Sequence, residues 1–254
     1  MDDFDWSTYT TVYRAQLQEI EQTLTLQLRS GDYRFEDGVL QKTSDALPLH
    51  PNHRLLYETI LDLKPEKVME VGCGAGDHLH NLIELAPGME LHGVDYGENQ
   101  LRFLRERHPA SDLDVQQLDI TLPYSDLLPQ VDLCYTQAVL MHIKTGNGHL
   151  VGLSNLFKMA RHQVILMENW CSHNFVEDIW FLFNKRMIPW NDLYLYFRRS
   201  PERDNRPHLL VASSIPLDYE PLANDKVLIR GMDESARVRW NRSNPTVAIQ
   251  VEVD

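Results

Sequence analysis

Three alternate glycines, Gly72, Gly74 and Gly76, follow the short apolar run VMEV and precede the polar segment DHLH. Glycine loses the most conformational freedom on folding, so such a run is costly unless something must come close to the main chain. The stretch therefore predicts that something must come very close to the main chain here, although a tight strand-to-helix turn would also use glycines.

The spacing around these glycines excludes two common nucleotide sites. A dinucleotide fingerprint needs glycine where Asp77 stands, and no Lys-Ser or Lys-Thr pair follows as in a P-loop. Two acidic residues downstream suit a nucleoside instead. Asp95 can accept hydrogen bonds from both hydroxyls of a ribose, and Asp119 could accept from an adenine amino group while Ile120 packs on the ring.

The elements that must position these residues alternate between strand and helix. Apolar runs predict strands at 67–71, 90–94, 113–117, 131–135 and 163–167, and polar or amphipathic segments between them predict helices at 77–85, 97–107 and 149–160. Alternation of this kind favours an α/β fold, with a parallel sheet and helices on both faces.

The flanking segments depart from this alternation. Upstream, we predict a helix over 10–29, a loop over 32–52 and a helix over 53–62. Downstream, we predict an aromatic-rich helix over 174–187. Strands are expected at 192–199 and 208–213, and the short link between them only suits an antiparallel pair. Two further strands are expected at 226–230 and 246–253.

The runs EVGCGAG, VDYG, LDI, VDLCYTQAVLMHI and VILMENW, in this order, resemble the class I S-adenosylmethionine-dependent methyltransferases of the small-molecule type. The resemblance covers residues 53–214. It implies a Rossmann-like, seven-stranded, mostly parallel sheet whose last core strand inserts antiparallel. The chain would then comprise an N-terminal helical cap (1–52), a methyltransferase core (53–214) and a C-terminal β extension (215–254).

The resemblance also implies S-adenosyl-L-methionine as cofactor and assigns contacts to it by position. The three glycines would line its methionine part, and Gln137 would approach the methionine end. Asp95 would hold the ribose with Tyr96 beside it, and Asp119 and Ile120 would flank the adenine. Glu70 stands where aspartate is commoner in the family, but the carboxylate is kept.

Methyl transfer needs an acceptor placed in line behind the methyl group, and a base when the acceptor must lose a proton early. His142, after the fourth strand, is the candidate base, because its ordinary pKa suits proton abstraction near neutrality. A loop-capping or packing role for His142 stays open. Glu168, at the end of the fifth strand, is a second catalytic candidate, with a hydrogen bond to backbone as the alternative. Asn169 and Trp170 beside it are candidates for acceptor binding.

The acceptor is expected to be a small, polar metabolite, methylated on oxygen rather than nitrogen. Arginine forks suit phosphate and carboxylate groups, and arginines concentrate where the sixth strand would end, at Arg198, Arg199, Arg203 and Arg206. They favour an anionic acceptor: phosphorylated, nucleotide-linked or a carboxylate. A solvated turn with internal ion pairs explains the same residues.

Composition and charge bear on the partners, the compartment and the metal content of the protein. A net charge of −13 disfavours a broad nucleic-acid surface, and no apolar run reaches the ~20 residues of a membrane span. Three cysteines suggest a reduced, cytoplasmic protein. We expect no metal site, because His78 and His80 do not share a helix face and read as surface residues. A tRNA or protein methyltransferase and a non-catalytic partner protein stay open, as does a homodimer formed through 226–253.

Overall fold

The computed structural model describes residues 6–109, 113–124, 128–169, 173–198 and 209–219. The chain divides into two compact units, an N-terminal unit (Asp2–Asp119) and a C-terminal unit (Ile120–Asp254). The predicted domain boundaries after residues 52 and 214 stay predictions, and the predicted strands between 226 and 253 lie outside the described residues.

The N-terminal unit consists of helices and strands in the order α1 (Trp6–Ile20), β1 (Tyr33–Glu36), β2 (Val39–Lys42), α2 (Pro51–Leu63), β3 (Lys67–Val71), α3 (Asp77–Leu85), β4 (Glu90–Asp95), α4 (Glu98–Arg107) and β5 (Asp114–Gln117). The C-terminal unit continues with β6 (Val131–Gln137), a 3₁₀ turn (Leu140–His142), α5 (Gly148–Met159), β7 (Ala160–Met167), α6 (Phe175–Asn184), β8 (Tyr194–Arg198) and β9 (Leu209–Ser213).

Seven strands form one sheet in the order β5-β4-β3-β6-β7-β9-β8. In the N-terminal unit β3, β4 and β5 are parallel to one another. In the C-terminal unit β6 and β7 are parallel, and β9 inserts antiparallel between β7 and β8. The predicted α/β fold, with a mostly parallel sheet and an antiparallel last strand, is therefore confirmed.

The predicted helix over 10–29 is wrong in its second half, because α1 ends at Ile20. Beyond it the backbone finds partners outside a helix. Thr25 N–H donates to the Pro48 carbonyl at 2.9 Å, and Leu28 N–H donates to the Asn81 side chain at 2.7 Å. Leu28 is nevertheless buried, so its apolar character reflected packing rather than helical periodicity.

The segment 32–52, predicted as loop, contains the antiparallel hairpin β1–β2. Its turn is Asp37-Gly38, and both residues have positive φ, 51° and 78°. Two positive φ values in a two-residue loop match the twist of the flanking strands, and Asp-Gly is a favoured sequence for that turn. This signal was present in the sequence and was missed.

The predicted helix over 174–187 is also too long, since α6 spans Phe175–Asn184. Asn174 accepts a hydrogen bond from Glu177 N–H at 3.4 Å and so caps the helix start. Arg186 has a left-handed φ of 59°, which no helix continues through.

Strands β7 and β9 lie inside the sheet of the C-terminal unit, and they read as near-continuous apolar runs because both faces are covered. All five residues of β9 are buried. Leu153, Leu156 and Phe157 of α5 are fully buried as well. Each such side chain contributes about 1.5–3 kcal/mol through burial.

Across the parts of the chain that the structure describes, no helix combines the length and the apolar character that a bilayer crossing requires.

Candidate active site

The glycine loop, residues 72–76, joins β3 to α3 with three left-handed residues. Gly72, Gly74 and Gly76 have φ values of 80°, 51° and 81°. Gly72 N–H donates to the Val94 carbonyl at 2.7 Å, which ties the loop to the end of β4. Side chains with a Cβ rarely adopt this conformation, so the loop requires glycine for its path alone.

The space around Gly76 and Gly74 separates packing from ligand access. A Cβ at Gly76 would lie 2.6 Å from Leu104 Cγ, so this glycine lets α4 pack against the loop. Packing against α4 thus accounts for this glycine by itself, and the predicted contact of Gly76 to the methionine part of the ligand stays a prediction. A Cβ at Gly74 would meet only the Gln100 amide oxygen, at 3.8 Å. The open side of the loop is at Gly74, where a ligand can reach the main chain.

Asp95, the last residue of β4, is 9% exposed and faces the glycine loop. Its Oδ2 accepts from Gly74 N–H at 2.9 Å, and its Oδ1 accepts from Gly97 N–H at 2.7 Å. Burial raises the pKa of this carboxyl, and the two backbone hydrogen bonds oppose that rise. Each carboxylate oxygen has a second lone pair, so the geometry fits the predicted contact to ribose hydroxyls. Tyr96 is 43% exposed beside it.

The other predicted cofactor residues lie in both units. Glu70 in β3 is buried, and Asp119 ends the N-terminal unit half-buried. Ile120 begins the C-terminal unit and is buried there; its side chain would lie 3.5 Å from a Cβ added at Gly152. Asn155 donates to the Ile120 carbonyl at 2.8 Å. The predicted adenine contacts of Asp119 and Ile120 stay predictions.

Asp77, the first residue of α3, links α1 to the glycine loop. Its Oδ2 accepts from the Tyr13 hydroxyl at 2.8 Å, and its Oδ1 accepts from Arg107 of α4. The Asp77–Arg107 ion pair is nearly buried, with both side chains 11% exposed. Burial and the nearby Asp77 carboxylate raise the pKa of Tyr13, which keeps its hydroxyl a donor.

An apolar cluster adds to this link. Its buried members and the half-buried side chains packed against them come from α1, the glycine loop, α4 and the segment after α1; they are Leu17, Leu26, Ala75, Phe103, Tyr13 and Ile20. Helix α1 therefore packs directly on the loop that contains the glycines. The contacts from Tyr13 and Arg107 to Asp77 were missed from sequence, because no local pattern joins residues so far apart.

His78 and His80 are half-buried and hydrogen-bonded, so their reading as surface residues is wrong. The Asn81 side chain accepts from Leu28 N–H and donates to the Tyr57 hydroxyl at 2.9 Å. Because the Tyr57 oxygen accepts from Asn81, the Tyr57 hydroxyl donates its hydrogen to His78 Nδ1, 2.7 Å away. His78 is therefore a neutral imidazole with its proton on Nε2, and burial lowers its pKa to about 4. His80 Nε2 lies 3.0 Å from the Leu28 carbonyl.

In the C-terminal unit, Glu168 anchors the turn that follows β6. Its buried carboxylate accepts from the Thr136 hydroxyl at 2.7 Å and from the N–H groups of Val139, Leu140 and Met141 at 3.1–3.2 Å. Burial raises its pKa, while the same hydrogen bonds oppose the rise. Of the two roles left open by the sequence, the geometry supports the hydrogen bond to backbone rather than proton transfer.

The turn itself begins at Gln137 and Ala138. Ala138 has a positive φ of 54°, which is uncommon for alanine. The Gln137 amide oxygen is buried and makes no hydrogen bond to any residue that the structure describes. This oxygen is therefore available to accept a hydrogen bond from a ligand. The predicted contact of Gln137 to the methionine end stays a prediction.

His142 ends the 3₁₀ turn and is half-buried. Burial and the positive charge of Lys144 lower its pKa below the ordinary value of 6.5. The imidazole is therefore neutral at pH 7 and able to accept a proton, as a general base must.

The predicted acceptor residues are only partly described. Asn169 is exposed at the end of β7. Arg198 donates to the Tyr219 hydroxyl at 3.3 Å, and its guanidinium carbon lies 5.1 Å from the centre of that ring. Trp170, Arg199 and Arg203 lie outside the described residues.

Residues 62–182, which contain the glycine loop, Asp95, His142 and Glu168, match the family model described as a methyltransferase domain. Residues 62–182 therefore carry a methyltransferase domain. The match bears out the predicted methyltransferase class for this part of the chain, and S-adenosylmethionine stays the predicted methyl donor. The open face at Gly74 and the two carboxylate oxygens of Asp95 fit that cofactor.

Two of the similar solved structures share this fold with TM-scores of 0.50 or more. A TehB-like S-adenosylmethionine-dependent methyltransferase from Corynebacterium glutamicum is 13% identical, with a TM-score of 0.53 over 82% of this chain and 97% of that one. The methyltransferase domain of bacterial CtHen1 is 17% identical, with a TM-score of 0.50 over 64% and 97%. DesVI from Streptomyces venezuelae is 18% identical over 47% of this chain, with a TM-score of 0.40, and the match spans 52% of DesVI. No curated protein sequence matches significantly.

Proposed function

We propose that this methyltransferase transfers a methyl group from S-adenosylmethionine to an oxygen of a small, polar, anionic acceptor. The observation that carries the choice of oxygen is His142, a half-buried imidazole whose pKa burial and Lys144 lower. An alcohol or phenol must lose its proton for transfer to be complete, and a neutral imidazole can take it. A neutral amine attacks through its lone pair and needs no early base.

When bound, S-adenosylmethionine supplies a methyl group attached to a positively charged sulfur. The neutral thioether left behind makes this sulfur a good leaving group. The chain's own part would be to hold the acceptor oxygen in line with that methyl group and to take up the acceptor proton on the His142 imidazole. Glu168 acts through the turn: its hydrogen bonds to the backbone of residues 139–141 place His142. Orientation of the acceptor supplies much of the acceleration in such a reaction.

An anionic acceptor is proposed because of the arginines at and after the end of β8. Arg198 is described, and its guanidinium already lies on Tyr219. Arg199, Arg203 and Arg206 follow it in the sequence. Phosphorylated metabolites, nucleotide-linked sugars and carboxylates are the classes that arginine forks recognise. The cytoplasmic location is part of the proposal, supported by the buried free thiols of Cys73 and Cys134.

The direct experiment is a screen of phosphorylated sugars, nucleotides and carboxylates for release of S-adenosylhomocysteine. With the acceptor in hand, His142→Ala should lower kcat by about 10²–10⁴-fold if the acceptor atom is oxygen. An unchanged kcat would contradict the base assignment. Arg199→Ala and Arg203→Ala should raise the KM for the acceptor; unchanged KM values would contradict the anionic class.

Two other functions were left open by the sequence, and calorimetry and the small-molecule screen together separate them from the proposed one. Tight binding of S-adenosylhomocysteine supports an enzyme, whereas no binding favours a non-catalytic partner protein. A tRNA or protein methyltransferase would bind the cofactor but release no S-adenosylhomocysteine in the small-molecule screen.

A further inference from the structure

Three metal-ligating side chains of the C-terminal unit converge away from the residues assigned above. His149 lies in the first turn of α5, His173 precedes α6, and Asp178 lies within α6. They are 9%, 7% and 9% exposed, respectively. Each offers one ligand atom, and these atoms lie within 4.8 Å of one another.

The separation between His149 and Asp178 suits a shared ion better than a direct bond. His149 Nε2 lies 3.6 Å from Asp178 Oδ2, which is too long for a hydrogen bond. In a tetrahedral zinc site with bonds of about 2.0–2.1 Å, neighbouring ligand atoms lie roughly 3.3–3.4 Å apart. A small adjustment would therefore bring both atoms into such a site.

His173 has the outer hydrogen bond that metal-binding histidines typically make. Its Nε2 lies 2.8 Å from the Ile143 carbonyl. Nε2–H therefore donates to that carbonyl, and the Leu140 backbone also lies within hydrogen-bonding reach of the ring, whose other nitrogen is Nδ1. A ligating histidine usually donates its other ring N–H to a carbonyl or carboxylate in this way, which sets the tautomer and the ring orientation.

One unsatisfied polar atom points to the same ligand class. Asp178 Oδ2 is buried and makes no hydrogen bond to any residue within the described ranges. A buried polar atom without a partner costs about 1–3 kcal/mol, and more when it is charged. A cation on Oδ2 would remove that cost for the carboxylate.

The imidazole rings of His149 and His173 stack at 3.9 Å between centroids, with 12° between planes. A ring nitrogen coordinates an ion that lies in the plane of its ring, so one ring must turn about its side-chain bonds before both nitrogens reach a single ion.

We propose that His149, His173 and Asp178 bind one divalent transition-metal ion of the zinc type. Two imidazole nitrogens and one carboxylate oxygen suit Zn²⁺, and three protein ligands leave a fourth position for water. Because His173 also holds the Ile143 carbonyl, the ion would fix the turn next to His142. The expectation of no metal site rested on sequence spacing, and residues 149, 173 and 178 share no metal-binding spacing. This inference is independent of the methyl acceptor.

The test uses the untagged, full-length protein. Elemental analysis after extensive dialysis should find about one zinc per chain, and removal with a chelator should lower the unfolding temperature, which added Zn²⁺ restores. Co²⁺ added to the metal-free protein should give the ligand-field absorption of a tetrahedral site. His149→Ala and Asp178→Asn should abolish both signals. His162→Ala, an exposed histidine of β7 in the same unit, should retain them.

Wild-type measurements keep the proposal falsifiable if these variants do not fold. X-ray absorption at the zinc edge should show nitrogen and oxygen neighbours only. Sulfur neighbours would place the ion at a cysteine and overturn the assignment. A folded protein that contains no zinc and whose unfolding temperature ignores both chelator and Zn²⁺ would overturn the site itself, leaving a buried His–Asp cluster.

Discussion

At the scale of single residues, the Asp95 carboxylate both fixes the backbone of the glycine loop and offers acceptors to a ligand. Its carboxylate holds the N–H groups of Gly74 and Gly97, and it presents remaining lone pairs at the open side of the glycine loop. Burial raises its pKa, so part of the free energy of these hydrogen bonds offsets the cost of keeping a buried charge. Asp95 should therefore contribute more to the conformation of the loop and to ligand binding than to the free energy of unfolding.

Asp95→Ala should weaken the binding of S-adenosylhomocysteine by about 10–100-fold, because hydrogen bonds to a charged group contribute roughly 1.5–3 kcal/mol each. Isothermal titration calorimetry measures this directly. Asp45→Ala, which removes an exposed carboxylate from the same unit, should leave the Kd unchanged. Equal affinities for the two variants would show that Asp95 does not contact the cofactor.

His78 gives a prediction with a defined sign in pH. Its folded pKa of about 4 is below the ordinary 6.5, so the unfolded chain takes up a proton between these values and the folded chain does not. The stability that neutral His78 provides is complete above about pH 6.5 and is lost as pH falls towards 4.

His78→Gln removes this titration. The stability advantage of wild type over His78→Gln should therefore shrink by on the order of 1–2 kcal/mol between pH 7.5 and pH 5. Urea unfolding at both pH values provides the measurement. The contributions of the other titrating groups to the free energy of unfolding cancel when the variant is subtracted from wild type. A constant difference between wild type and His78→Gln would refute the buried neutral tautomer.

At the scale of elements, the turn between β6 and α5 has little regular structure of its own and depends on one carboxylate. Four donors, from the Thr136 hydroxyl and from the backbone of residues 139–141, converge on Glu168. In the N-terminal unit, helix α1 depends in a similar way on Asp77, through Tyr13. In both places a single acid joins elements that local sequence does not join.

Glu168→Gln should lower the free energy of unfolding by about 1–3 kcal/mol, because the amide N–H₂ would face backbone donors and leave one of them unsatisfied. It should lower kcat without moving the acid limb of the pH–rate profile, since His142 supplies that pKa. Asp192→Asn, at an exposed site of the same unit, is the control. Loss of the acid limb in Glu168→Gln would instead identify Glu168 as the titrating base.

Tyr13→Phe should loosen α1 while leaving its apolar face in place. Loss of the 2.8 Å hydrogen bond to Asp77 is worth about 0.5–1.5 kcal/mol. Hydrogen exchange should therefore quicken by about 2–10-fold in α1 and in the glycine loop. Tyr194→Phe, in the other unit, should not affect either segment. Unchanged exchange in Tyr13→Phe would mean that packing alone holds the helix.

At the scale of the whole molecule, cofactor binding should stabilise the folded chain by mass action. S-adenosylhomocysteine at 100 times its Kd should add about 2.7 kcal/mol, which corresponds to an increase on the order of 5–10 °C in unfolding temperature for a chain of this length. Differential scanning calorimetry measures the shift. At the same ligand concentration Asp95→Ala should show a smaller one, and an unshifted wild type would contradict cofactor binding altogether.

The sequence by itself determined the alternation of strands and helices, the antiparallel last strand and the cofactor motif, because hydrophobic period and glycine spacing are local properties. A local signal for the β1–β2 hairpin, Asp37-Gly38, was also present and was overlooked. Only the tertiary structure decided the roles of Gly76, Asp77, His78 and Glu168, since each depends on an atom supplied by a distant segment. The grouping of His149, His173 and Asp178 is of the same kind. Contacts between distant parts of a chain are made by folding, and no spacing rule encodes them.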